Sequence, residues 1–154
     1  MTQRMVVDAA LARTGGAERE ITEVAVGVLI KPSGDFLLTS RPSGKVYEGF
    51  WEFAGGKLET GETVHQALKR ELYEELGIEI SASELWKVET IDYPHCLVRL
   101  NFCKVLAWAG DLQMREGQQF SWQRLPVSVH PILPGTIPVL KWFAEEQGFG
   151  GATH

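Results

Sequence analysis

Residues 63–76, TVHQALKRELYEEL, carry three glutamates, Glu71, Glu74 and Glu75, within one helical pattern. Clustered carboxylate oxygens suit a hard divalent cation such as Mg2+ or Mn2+. With Glu71 set to zero and about 100° per residue, Val64, Leu68, Leu72 and Leu76 fall at roughly 20°, 60°, 100° and 140°. On the same scale Glu74 falls at roughly −60° and Glu75 at roughly +40°. The carboxylates therefore crowd the border of the apolar stripe, and Glu75 lies inside it. Glu71 and Glu75 also form a like-charge i,i+4 pair, and all three occupy the helix half where the macrodipole disfavours anions. An ordinary solvated face would put these glutamates opposite the stripe, so their placement points to a metal. Just upstream, Gly55 and Gly56 let backbone approach a ligand closely, and Glu59 and Glu62 add oxygens.

A helix of this kind needs a scaffold, and the flanking pattern supplies one. Residues 23–31 and 36–41 read as two strands of a hairpin around the turn residues 32–35, PSGD. A polar loop, 42–49, leads to a short aromatic strand, 50–53, and then to the Gly-rich loop GGKLETGE. Gly77 stands where helices commonly stop. Residues 86–93, 97–108 and 119–124 read as further strands, and Ile137–Gln147 as a second helix. Thr136 is its expected N-cap, and Pro138 falls in the first turn, where a missing N–H costs nothing. Residues 1–20 read as a peripheral N-terminal extension with little to hold it in order, and 21–150 as a single domain. Strands mixed with two helices imply an α/β or α+β sandwich.

Composition narrows the function. At 154 residues, 44% of them apolar, the chain can bury a core. A formal charge of −5 excludes a general binder of nucleic-acid polymers, so an anionic substrate would need a cation to screen it. Cys96 and Cys103 lie on one strand-like run, roughly 23 Å apart at about 3.3 Å per residue, too far for a disulfide. They read as free thiols of a reducing compartment. No apolar run reaches the ~20 residues of a membrane span, and Asp8 interrupts the only apolar stretch near the N-terminus, which suits no signal peptide. A cytoplasmic protein, monomer or weak homodimer, is expected.

Gly56, Glu62 and the run Arg70-Glu71-Leu72-Tyr73-Glu74-Glu75-Leu76-Gly77-Ile78 resemble the full signature of the Nudix hydrolases. The context FWEFAGGKLETGET resembles the MutT-like branch. That resemblance implies an α/β fold, a Nudix-type α/β/α sandwich with a mixed β-sheet. It also implies Mg2+-dependent attack of water on the β-phosphorus of a nucleoside triphosphate, 8-oxo-dGTP giving 8-oxo-dGMP and pyrophosphate and sparing DNA from mutation. Other nucleoside diphosphate derivatives, such as ordinary dNTPs, ADP-ribose or dinucleoside polyphosphates, are the alternative.

Carried over by position, the resemblance makes Glu71, Glu74, Glu75 and the Gly55 carbonyl metal ligands, with Glu116 as a further ligand and base candidate. Arg70 would orient a carboxylate, and Glu62 would support the loop or a metal-bound water. Arg41 would meet phosphate, while Glu52, Phe53, Ala54 and Gly55 would line the nucleoside pocket; Trp51 would face elsewhere. His65 reads as structural. Two positions depart from the branch. Ala54 replaces a proline, and Thr136 stands where an asparagine reads the oxidised guanine edge, offering one hydroxyl in place of an amide's donor and acceptor. His95-Cys96 also replaces a basic residue.

Overall fold

Strands rich in Val, Leu and Ile on both faces require cover on both sides. In the computed structural model, which describes residues 4–14 and 19–154, β2 (Ile21–Leu29) and β7 (Leu97–Val105) run parallel along their whole length inside a mixed sheet. The sheet order is β1 (Arg4–Val6), β6 (Glu84–Asp92), β7, β2, β5 (Ala54–Lys57). β1 is parallel to β6, whereas β6 and β7, and β2 and β5, are antiparallel. A second, antiparallel sheet has the order β4 (Trp51–Glu52), β3 (Phe36–Ser40), β8 (Phe120–Gln123).

The two-residue period of the strands decides which helix each side chain meets. Ala25 and Cys103 share a core with Leu68, Leu72 and Leu76 of α1 (Val64–Leu76). Val26, Val28 and Phe102 share the other with Val139, Leu140 and Phe143 of α2 (Ile137–Gln147). The helices thus cover opposite faces, which gives the expected α/β/α sandwich with a mixed sheet. Gly27 brings β2 close under α1, since a Cβ there would lie 3.1 Å from Leu68 Cδ1 and 3.2 Å from Leu72 Cδ1.

Three expectations change. The 32–35 turn forms, with Lys31 N–H donating to Asp35 O at 2.9 Å. Yet β2 and β3 do not make a hairpin beyond a bridge between Ile30 and Phe36, because both edges of β2 are taken by β5 and β7. The Gly-rich loop begins as strand β5; a Cβ at Gly55 would sit 2.0 Å from Ala25 O, so only glycine permits that pairing. Of the expected peripheral extension, Arg4–Val6 pairs with the outer edge of β6, covering backbone groups that would otherwise be unpaired. Val7 is buried beside Ile91, Tyr93 and Val98. Residues 1–3 and 15–18 of the extension lie outside the described residues.

Candidate active site

The glutamate helix is held at both ends. Thr63 and Gln66 form a reciprocal capping box: Gln66 N–H donates to Thr63 Oγ1 at 3.1 Å, and Thr63 N–H to Gln66 Oε1 at 2.9 Å. At the other end Gly77 adopts the left-handed conformation (φ 70°) and donates to Tyr73 O. The 113–115 segment takes the carbonyls of Glu75 and Leu76 and shares that of Tyr73. Gln113 N–H donates to Leu76 O at 2.8 Å, Arg115 N–H to Glu75 O at 3.1 Å and Arg115 Nη1 to Tyr73 O at 2.9 Å. The Arg115 guanidinium also lies over the Tyr73 ring, 5.0 Å from its centroid. A cation therefore meets the negative end of the helix, and the next residue along, Glu116, is brought to the cleft that Glu71 and Glu75 line.

That cleft has a volume of about 780 Å³. Glu75 is strongly perturbed: Oε2 is buried with no hydrogen-bond partner among the described residues. Burial, then the charges of Glu71, Glu116 and Glu52, push its carboxyl up to about 9, against a smaller pull from the Gly55 amide. Burial likewise raises Glu52, opposed by Arg41. The Glu71 carboxyl packs onto Gly56, where a Cβ would come within 2.3 Å of Cδ. Behind it Arg70 takes Glu62 through two contacts of 2.8 Å, Glu71 Oε1 at 2.8 Å, Glu74 Oε2 at 3.3 Å and Lys57 O at 3.0 Å. The Arg70 hydrogen bonds, with one from the Glu59 amide, hold Glu62 down at about 2.

Of the expected site residues, Arg41, Glu52, Phe53, Gly55, Glu71, Glu75, Glu116 and Thr136 line this one cleft. Arg41 is engaged there with Glu52 at 3.0 Å and with Val46 O at 2.6 Å. Ala54 does not line it; its side chain is buried in the core beneath α1. Glu74 does not either, because its side chain is 56% exposed and tied back to Arg70. Among the described residues, no three Asp, Glu, His or Cys side chains converge into a ready metal cage. Like charges oppose such convergence, and Arg70 draws on Glu71. A divalent cation nevertheless fits the cleft, since it would satisfy the orphaned Glu75 oxygen and offset the repulsion among Glu71, Glu75 and Glu116.

Thr136 differs from its expected role. It ends a 3-10 turn, Pro134–Thr136, in right-handed helical conformation, and its side chain makes no capping bond to α2. It is buried and faces the cleft. Phe53 is divided between core and cleft, Trp51 packs in the α2-side core, and His65 bonds Ser83 at 2.7 Å. Both cysteines are free. Sequence reasoning missed Lys45, Lys57, Tyr47 and Tyr93, all of which line the cleft. Lys57, directly after the glycine pair, carried the clearest signal; nothing distinguished Lys45 within its loop.

A family model described as the NUDIX domain matches residues 21–143. The chain is 37% identical over 121 residues to an 8-oxo-dGTP diphosphatase of Haemophilus influenzae, spanning 79% of this chain and 86% of that one. It is 37% identical over 119 residues to a CTP pyrophosphohydrolase of Escherichia coli, spanning 77% and 88%. A solved structure from a study of MutT of Aliivibrio salmonicida and Vibrio cholerae superposes with TM-score 0.66 at 29% identity, covering 82% of this chain and 99% of that one.

Proposed function

The chain belongs to the Nudix family, and from that membership we propose that it hydrolyses 8-oxo-dGTP to 8-oxo-dGMP and pyrophosphate with Mg2+, or Mn2+ in its place, clearing oxidised guanine from the nucleotide pool. The name of the Haemophilus relative supports the substrate. One observation carries the chemistry: the partnerless Glu75 oxygen shares a cleft with Glu71 and Glu116, and the same cleft holds Arg41, Lys45 and Lys57. We read residues 21–150 as one catalytic domain, and the two free thiols support a reducing, cytoplasmic setting.

Glu71, Glu75 and Glu116 would hold the ion, with Gly55 backbone beside them, while Glu74 stays at the solvent edge, paired with Arg70. Bound there, the ion neutralises charge on the phosphoryl oxygens and lowers the pKa of water. Arg41, Lys45 and Lys57 bind the triphosphate, the guanidinium of Arg41 suiting a phosphate's paired oxygens. A carboxylate of the cluster takes the proton from the water that attacks the β-phosphorus. Glu75 and Glu116 share that task as one coupled system. Arg70 fixes the Glu71 carboxyl, and Phe53 with the Thr136 hydroxyl contacts the nucleobase.

The experiment is Glu75→Gln. Turnover is expected to fall by about hundredfold or more while the melting temperature holds or rises, because a neutral amide replaces a buried carboxyl. Unchanged turnover would remove Glu75 from the mechanism. A second reading, a pyrimidine triphosphate substrate, is favoured by Thr136 standing at the asparagine position and by the name of the Escherichia coli relative.

A further inference from the structure

The N-terminal segment does more than extend the sheet, because its side chains tie together two loops that face each other at the cleft. Tyr47, in the 41–50 loop, and Tyr93 and His95, at the β6–β7 turn, all line it. The Tyr47 ring lies 5.5 Å from Tyr93, 5.9 Å from His95 and 5.3 Å from Phe50, centroid to centroid, so the rings form one aromatic wall. Tyr47 has φ 59°, in the left-handed region that a bulky residue rarely occupies. Its hydroxyl donates to Asp8 Oδ2 at 3.1 Å, and Asp8 is itself left-handed, at φ 49°. These two are the only non-glycine residues with positive φ among those described. They come from segments 39 positions apart and meet through their side chains.

The opposite loop is held from the same segment. Thr14 N–H donates to Pro94 O at 2.9 Å, and Thr14 Oγ1 to His95 O at 3.0 Å. Arg19 reaches Asp92 Oδ1 and Tyr93 O, each at 2.6 Å, and Val7 N–H donates to Asp92 O at 2.9 Å. Strained conformations persist where surrounding contacts over-determine them. Here those contacts include the Asp8 bond from the strap, beside the Phe50 N–H bond to Tyr47 O within the loop, and the strained residue is part of a binding cleft.

We propose that residues 8–14, together with Arg19, act as a strap that sets nucleobase discrimination, with Tyr47 the ring on which the base packs and Asp8 the residue that positions that ring. The inference rests on the nucleoside triphosphate reading of the cleft. Arg41 donates to Val46 O, next to Tyr47, at 2.6 Å and to Glu52 Oε1 at 3.0 Å, so its guanidinium links the Tyr47 loop to the carboxylate side of the cleft. A base seated against the Tyr47–Tyr93 wall therefore leaves its phosphates toward Arg41 and the carboxylates. The strap acts on base binding and leaves the phosphoryl step alone.

The test uses the full chain with 8-oxo-dGTP, dGTP and CTP, and reads KM and kcat separately. Asp8→Gly keeps the left-handed backbone while removing the acceptor, and Asp8→Asn keeps an acceptor oxygen. Asp8→Gly and Tyr47→Phe are each expected to raise KM for the preferred base by about fivefold, the worth of one ordinary hydrogen bond, with kcat unchanged. The double variant should be no worse than either single one, and Asp8→Asn should stay near wild type. Tyr47→Ala should raise KM further and narrow the preference among bases. Unchanged KM in Asp8→Gly, or KM and kcat falling together across all three nucleotides, would overturn the strap. Binding of the three corresponding nucleoside monophosphates, followed by calorimetry, separates the two readings. A wild type that turns over no triphosphate while Asp8→Gly weakens monophosphate binding rejects the function and keeps the strap. No monophosphate binding by the wild type rejects both.

Discussion

Glu75 shows at the scale of one residue why a cation belongs in this cleft. Its carboxyl is pushed up to about 9 from an ordinary 4.5, first by burial and then by neighbouring carboxylates. The folded state therefore favours the neutral form. The stability gained from this is complete below pH 4.5 and is lost as the pH rises towards about 9. Glu62 acts in the opposite sense and in a separate window, its contribution being lost as the pH falls from 4.5 to about 2. The cation-free protein is thus expected to melt at progressively lower temperature between pH 5 and 9, with Mg2+ restoring the loss. At pH 7, Mg2+ uptake should release close to one proton, because the ligand must ionise to bind. Calorimetry in two buffers of different ionisation enthalpy reads that proton directly, and uptake without release would contradict the assignment. The glycine pair makes a second prediction. Gly56→Ala forces a Cβ against the flexible end of Glu71, 2.3 Å away, whereas Gly55→Ala forces one against the Ala25 backbone at 2.0 Å. The first should lower kcat by about hundredfold with only a small change in melting temperature, and the second should destabilise the fold itself. Equal loss of stability in both would mean that Glu71 is not the side chain displaced.

At the scale of elements, α1 supplies Glu71 and Glu75 to the cleft, and the 113–116 segment supplies Glu116 while closing the helix end. Arg115→Ala removes the bond to Tyr73 O and the contact with its ring. Stability should fall by about 1 kcal/mol. The kcat should drop by about tenfold or more, through displaced Glu116, with KM held. Urea denaturation and steady-state kinetics check the two together; a pure stability effect would show that Glu116 finds its place without this support. Both helices were legible in the sequence, since the apolar period, Thr63, Gly77 and Pro138 all agree on their limits. Glu71 and Glu75 were legible for the same reason, as they violate the polar face of α1, whereas Glu116 came only from the family resemblance. What a local pattern could not show was pairing over distance. The departure of β3 into a second sheet depends on β5 and β8, far along the chain. Thr136 reads as a cap by residue type, yet the preceding 3-10 turn puts it in helical conformation, where its side chain does not cap.

At the scale of the molecule, the α/β/α sandwich gathers, from segments spread between Arg41 and Thr136, one cleft with carboxylates, cations and aromatic rings along its walls. In the proposed reading an acidic chain binds a polyanion there because its carboxylates would recruit a divalent ion, while Arg41, Lys45 and Lys57 line the same cleft. The sequence reading reached the acidic half of this arrangement through one helix for Glu71 and Glu75, and through the family resemblance for Glu52 and Glu116. It missed most of the basic and aromatic half, whose members lie on loops that only the tertiary fold brings together. Thr136 and the Tyr47–Tyr93 wall line the cleft, and in the proposed reading they select the base, so base preference is the central claim to test. The most direct measurement is Mg2+-dependent pyrophosphate release from 8-oxo-dGTP and from dGTP, at equal concentrations well below saturation. Release at least about tenfold faster from the oxidised nucleotide is predicted. Equal release from both, or none from either, would contradict the account.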